Sequence, residues 1–158
     1  MKALLCLLCL CLVSSTTLAQ RKLGEAAKIV GVELQGEPMP GGKVIAVVKV
    51  RVDEGYHLQS HKPSEPQFIA TVVTVDAAAG ARVGTISYPA GKSEKVEGLS
   101  KPLSVYEGEF TVSIPIGLTA AAKLPLTLPT TLAYQACKGA QCYAPQKLKF
   151  DIKIEPKK

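Results

Sequence analysis

The sequence predicts an all-β protein folded as an antiparallel β-sandwich, and three observations predict it. Apolar residues recur at every second position in several separate stretches, the period of a strand with one buried face. Thirteen Gly and 11 Pro punctuate 158 residues, which favours many short elements over a few long helices. With 47% hydrophobic and 20% charged residues, the chain can bury one core and has little room for a second.

The N-terminus is set apart from the fold. Lys2 supplies a positive start, Ala3 to Val13 is an apolar run, and Thr17-Leu18-Ala19 is a small-residue cleavage site before Gln20. Residues 1–19 therefore read as a secretory signal peptide, and residues 20–158 as the mature domain. The apolar run, about 11 residues, is too short for a spanning helix, which needs about 20. Neither Gly, Ala nor Ser directly precedes Cys6, Cys9 or Cys11, so a lipoprotein signal is not supported. No later segment reaches spanning length without Lys or Pro, so no membrane span is expected after cleavage.

Each strand is then justified in order. Lys28 to Gln35 is the first candidate, followed by the turn Pro38-Met39-Pro40-Gly41-Gly42. In Lys43 to Val52, Val44, Ala46, Val48, Val50 and Val52 share one face while Lys49 and Arg51 take the other. Asp53-Glu54-Gly55 turns the chain, and Gln67 to Val75 and Arg82 to Tyr88 follow, separated by Ala79-Gly80. After Pro89-Ala90-Gly91, the pattern returns at Phe110, Val112, Ile114 and Ile116. Leu118 to Lys123 is compatible with a helix but too short to shape the fold. Leu124 to Ala136 is the next strand, Lys138-Gly139 a turn, and Lys147 to Ile154 the last, with Leu148, Phe150, Ile152 and Ile154 on one side. Some seven strands, each with one apolar face, bury those faces by stacking two sheets. An immunoglobulin-like β-sandwich follows.

Charge narrows the partners. The formal net charge is +6, or +5 once Lys2 leaves with the signal. The basic residues lie on the solvent faces of strands without interleaved aromatics, so nucleic-acid binding is not expected.

Signal cleavage also reduces five cysteines to two, Cys137 and Cys142, in a compartment where disulfides form. They flank Lys138-Gly139-Ala140-Gln141, a loop of hairpin length, and residues so placed lie about 4.5–5.5 Å apart, within reach of a disulfide. Two uses are open. A structural staple is the ordinary fate of such a pair, although a loop this short stabilises by only about 2 kcal/mol. The other use is thiol-disulfide exchange, since a pair at a hairpin tip is accessible to another protein's thiol. Lys138 is a cation placed to favour a neighbouring thiolate.

The residues around this pair resemble a known family. Tyr134-Gln135-Ala136-Cys137 and Cys142-Tyr143-Ala144-Pro145 are similar to the cysteine motif of the N-terminal periplasmic domains of the thiol:disulfide interchange protein DsbD. Gly55-Tyr56-His57-Leu58 and Val105-Tyr106-Glu107-Gly108 resemble two further segments of that family, in the same order. The resemblance implies an immunoglobulin-like sandwich whose cysteines cycle between dithiol and disulfide. It implies that Cys142 exchanges with the partner and Cys137 resolves the mixed disulfide. It implies thioredoxin-like periplasmic proteins or disulfide isomerases as partners, a separate membrane electron donor, and no cofactor. A cap loop covers the pair in that family. By chain order its counterpart is Glu97-Gly98-Leu99-Ser100, with Leu99 as the apolar lid. Tyr134 and Tyr143 flank the cysteines and are candidates for shielding them or contacting a partner, while the ordinary reading of each, as a tyrosine in a strand, is core packing. Ala144 departs from the family by replacing the first of two prolines.

Other constellations are weaker. His57 and His61 with the two cysteines have the composition of a metal site, but i and i+4 on a strand stand about 13 Å apart, so no metal is expected. Ser60, His61 and Glu65 lack any accompanying nucleophile motif. The competing reading is a non-redox immunoglobulin-like module that binds a protein or metal, its hairpin disulfide purely structural.

Overall fold

A computed structural model describes residues 23–76 and 78–157, so the signal-peptide reading of residues 1–19 lies outside the described residues. Every element among the described residues is a strand, and every pairing is antiparallel.

The long strands form where alternation is longest. β1 (Ala27–Gly36), β2 (Lys43–Val52) and β8 (Glu109–Leu118) build a four-stranded sheet in the order β1-β2-β8-β5, with β5 (Ala81–Val83) at its edge. β12 (Gln146–Ile154), β9 (Leu126–Tyr134) and β4 (Val72–Val75) form a three-stranded sheet. β11 (Gln141–Cys142), β10 (Ala136–Lys138), β3 (His57–Gln59), β7 (Leu103–Tyr106) and β6 (Lys92–Glu94) form a five-stranded sheet in that order. The inner faces meet in one core: Val44, Val48 and Val50 of β2, Val112, Ile114 and Ile116 of β8, Leu128, Leu132 and Tyr134 of β9, and Ile152 and Ile154 of β12. The architecture is the immunoglobulin-like antiparallel sandwich that the alternation predicts.

Three predicted strands are shorter than the alternation suggests. Residues 67–71 precede β4 outside any strand, as turn and bend at 67–68 and irregular chain at 69–71: Phe68 N–H donates to Glu65 C=O at 3.2 Å, and Ile69 N–H is taken by the Gln135 side chain at 3.0 Å. Arg82 to Tyr88 pairs only as β5 and an isolated bridge at Ser87. Its neighbour β8 carries Pro115, which accepts from Gly84 N–H at 2.8 Å but has no N–H to return, and the ladder breaks there. Leu124 to Ala136 divides at Gln135. Before it the chain pairs with β12 and β4, and after it with β3, so one continuous run carries the chain from the core sheet into the cysteine hairpin. The helix-compatible stretch at 118–123 is a turn in which Ala122 N–H donates to Thr119 C=O at 3.0 Å.

The short strands β3, β6 and β7 have too few residues to show a period. β3 also breaks the amphipathic rule, because His57, Leu58 and Gln59 are all buried. It lies at the centre of its sheet and is covered on both faces.

Candidate functional site

Cys137 and Cys142 are direct cross-strand partners on β10 and β11, joined by a disulfide with Cα atoms 3.9 Å apart. Lys138 pairs with Gln141, so the connection is a two-residue turn of Gly139 and Ala140. Gly139 has φ +55° while, among the described residues, no non-Gly residue has positive φ, the pattern of a type II′ turn with Gly at its first central position. Tyr143 N–H donates to Ala136 C=O at 2.9 Å and extends the pairing past the bridge.

The register also decides what surrounds the sulfurs. Cys137 lies opposite His57 of β3, so Cys142, Cys137 and His57 form one row on one face of the sheet. Gln59, two residues along β3, shares that face. Its amide Nε2 donates to Cys137 Sγ at 3.5 Å. The two sulfurs are unequal, for Cys137 is fully buried while Cys142 is half-buried.

Alternation sends the intervening side chains the other way. Lys138 turns from the sulfurs, and its ammonium lies 5.7 Å from the centre of the Tyr56 ring. Its predicted role beside the thiolate is thus corrected, because adjacent strand residues point to opposite faces. Tyr143 follows Cys142 and packs near Tyr56, ring centres 6.0 Å apart. Tyr134 is fully buried in the core, where burial raises its phenol pKa. It offers no surface to a partner, so of the two readings of this residue core packing is the one the fold realises. The parity of β9, with Leu128, Leu132 and Tyr134 on the inner face, is the reason.

A cleft of about 1110 Å³ opens beside the hairpin tip, lined by Gly139 and Ala140, by His57, by Glu94 at the end of β6, and by Lys95 to Glu97 from the start of the β6–β7 loop. Asp53, Glu54, Glu94, Glu97, Glu107 and Glu109 give it an acidic lining, with Arg51 and Lys95 the cations present. Arg51 is bound to Glu109 across β2 and β8 at 2.6 Å. Of the two proposed cap residues, Glu97 reaches this cleft; Leu99 is not part of its lining, lies in a depression made by residues 95–102 of its own loop and is 40% exposed.

The histidines take separate places. His57 is 5% exposed, its pKa lowered by burial against the opposing pull of Glu107 and Glu94, and its Nε2 is buried without a hydrogen-bond partner. His61 stacks on Tyr88 with ring centres 3.8 Å apart and makes a 3.1 Å hydrogen bond from Nδ1 to Thr71 C=O. It lines a different cavity, with Ser60 and Tyr88. Sequence reasoning passed over Gln59 altogether, since Gln59-Ser60-His61 reads as polar loop. The only signal nearby was the Gly55 to Leu58 segment that ends one residue earlier.

Comparison with known proteins agrees with this geometry. A family model described as "Thiol:disulfide interchange protein DsbD, N-terminal" matches residues 30–154. No curated protein matches the chain in sequence. Among solved structures, the chain is similar to the reduced DsbD N-terminal domain of Neisseria meningitidis, with 25% identity, TM-score 0.47, and 77% of this chain and 82% of that one covered. A DsbD N-terminal domain from N. meningitidis in complex with the PilB N-terminal domain gives 23% identity, TM-score 0.47, and 80% and 88% coverage. The N-terminal periplasmic domain of ScsB from Proteus mirabilis gives 17% identity and TM-score 0.57, a likeness of fold, over 84% of this chain and 48% of that one. With the family match spanning most of the chain and a cysteine hairpin at its C-terminal end, the chain belongs to the family of DsbD N-terminal domains, which carry out thiol-disulfide exchange.

Proposed function

We propose that this domain relays reducing equivalents between periplasmic proteins, with Cys142 as the sulfur that meets the partner and Cys137 as the one that resolves the mixed disulfide. The unequal burial of the two sulfurs supports this division of labour. Exchange requires a thiolate to approach along the axis of the bond it breaks, and the half-buried Cys142 offers that approach while the enclosed Cys137 does not. The partners are thioredoxin-like proteins, with electrons arriving from a separate membrane donor. Tyr143 and the Glu97 side of the β6–β7 loop flank the hairpin as partner-contact and cap residues. No cofactor enters the reaction, and no helix among the described residues is long and apolar enough to cross a membrane.

Trapping tests the assignment. Cys137→Ser should accumulate a mixed disulfide with an oxidised thioredoxin-like protein through Cys142, and Cys142→Ser should accumulate far less. Equal trapping by both variants would overturn the roles. A reduction potential below about −300 mV would mark a structural bond and overturn the relay itself.

A further inference from the structure

Gln59 is fully enclosed, and its environment is unusual for a glutamine. Its backbone is fixed from two sides: its N–H donates to Gln135 C=O at 3.0 Å, and its C=O accepts from the Thr71 hydroxyl. Its side-chain oxygen Oε1 is buried without a hydrogen-bond partner, so the amide is oriented by a single contact, from Nε2 to Cys137 Sγ. A buried amide with an unsatisfied oxygen costs stability, and an apolar side chain of the same size would avoid that cost. The position is therefore hard to account for by packing alone. A disulfide sulfur is a weak acceptor, so the contact gains little in the oxidised protein. It gains far more when that sulfur carries a full negative charge.

Exchange creates that charge at Cys137. A partner thiolate attacks Cys142 Sγ; the partner–Cys142 bond forms, the Cys137–Cys142 bond breaks, and its electron pair leaves on Cys137 as a thiolate. The partner's second thiolate then attacks the partner's own bridging sulfur and releases Cys142 as a thiolate. The partner is left oxidised and the domain reduced by two electrons; the same steps in reverse deliver the electrons onward. Either way the Cys137 thiolate must exist inside an enclosed site, where an unpaired charge is strongly disfavoured.

We propose that the Gln59 side-chain amide is a catalytic hydrogen-bond donor that stabilises the Cys137 thiolate each time the Cys137–Cys142 bond opens. This rests on the relay reading of the cysteine pair and adds to it a residue outside the cysteine motif.

The test compares the wild-type domain with Gln59→Met, which keeps the volume and removes the donor, and Gln59→Glu, which keeps the shape and replaces the donor with a negative charge. Reduction by dithiothreitol should be about tenfold slower in Gln59→Met, the effect of losing one hydrogen bond to a charged group, and slower still in Gln59→Glu. In a Cys142→Ser background, the pH at which Cys137 ionises, followed by ultraviolet thiolate absorbance, should rise in the same order. A purely structural role would not produce that order. Should the variants fail to fold, the Gln59 side-chain NH₂ signals of the Cys142→Ser domain provide the measurement, and they should shift as Cys137 ionises. A Gln59→Met rate within threefold of wild type, or side-chain signals that ignore Cys137 ionisation, overturns the proposal. A wild-type disulfide that dithiothreitol cannot open overturns the relay reading instead, so the two failures are distinguishable.

Discussion

Cys137 and His57 stand directly opposite one another on β10 and β3, so an imidazole held largely out of water shares a sheet face with the buried sulfur of the redox pair. Burial lowers the His57 pKa from its ordinary 6.5, against the pull of Glu107 and Glu94. The folded state therefore binds that proton less readily than the unfolded chain. As pH falls below 6.5 the unfolded state takes up the proton first, and stability declines until the folded-state pKa is passed. Chemical unfolding between pH 7.5 and about pH 5 should show a midpoint that falls with pH, and His57→Gln should flatten that slope. An identical slope in the variant would assign the dependence to other groups.

Reduction of the disulfide should leave the domain folded. The bridge closes a hairpin between residues five apart, worth about 2 kcal/mol of denatured-state entropy. The core of Val48, Val50, Ile114, Leu132 and Ile152 lies on other strands and does not depend on it. The dithiol protein should melt roughly 6 °C lower than the oxidised form with an unchanged far-ultraviolet circular dichroism spectrum. Loss of strand signal on reduction would mean that the hairpin bond is a staple for the whole fold.

The two tyrosines beside the cysteines should separate cleanly. Tyr134 fills the core, so Tyr134→Ala should cost about 3–5 kcal/mol in denaturant unfolding. Tyr143 is half-buried and contributes its contact with Tyr56, so Tyr143→Ala should cost about 1 kcal/mol. Exchange with a thioredoxin-like partner should slow in Tyr143→Ala at a protein concentration and temperature where both variants are folded. Equal destabilisation by the two substitutions would contradict their placement.

The sequence carried the long strands and the hairpin for the same reason: both are local patterns. Nine or ten residues of alternation in β2, β8 and β12 leave one pairing register that buries Val48, Ile114 and Ile152 together, and a spacing of five sets Cys137 against Cys142. Tyr134 was readable as a core residue by the same parity, two places beyond Leu132. What local pattern cannot express is a strand buried on both faces. β3 places His57 and Gln59 inside on a face where polar residues ordinarily mark solvent, and its partners arrive from residues 103–106 and 136–137. The unequal burial of the two cysteines depends on those same long-range pairings, as does the contact from Gln59 to Cys137.

The cap loop divides at Gly98, and its two halves should respond differently to substitution. Leu99 is exposed and lies in a depression of its own loop, outside the lining of the cleft, so Leu99→Ala should leave the rate of disulfide reduction by dithiothreitol within twofold of wild type. Glu97 faces the acidic cleft that also holds the hairpin tip, so its charge acts on whatever approaches Cys142. The reduced domain should react faster with a small cationic disulfide such as cystamine than with an anionic one such as oxidised glutathione. At charge separations of about 8 Å in water, each charge pair changes the encounter rate roughly twofold, and salt screens the effect. Glu97→Lys should narrow the preference, and 1 M salt should abolish it. A large acceleration in Leu99→Ala would instead show that Leu99 seals the disulfide, and a preference insensitive to both Glu97→Lys and salt would remove the cleft from the path of approach.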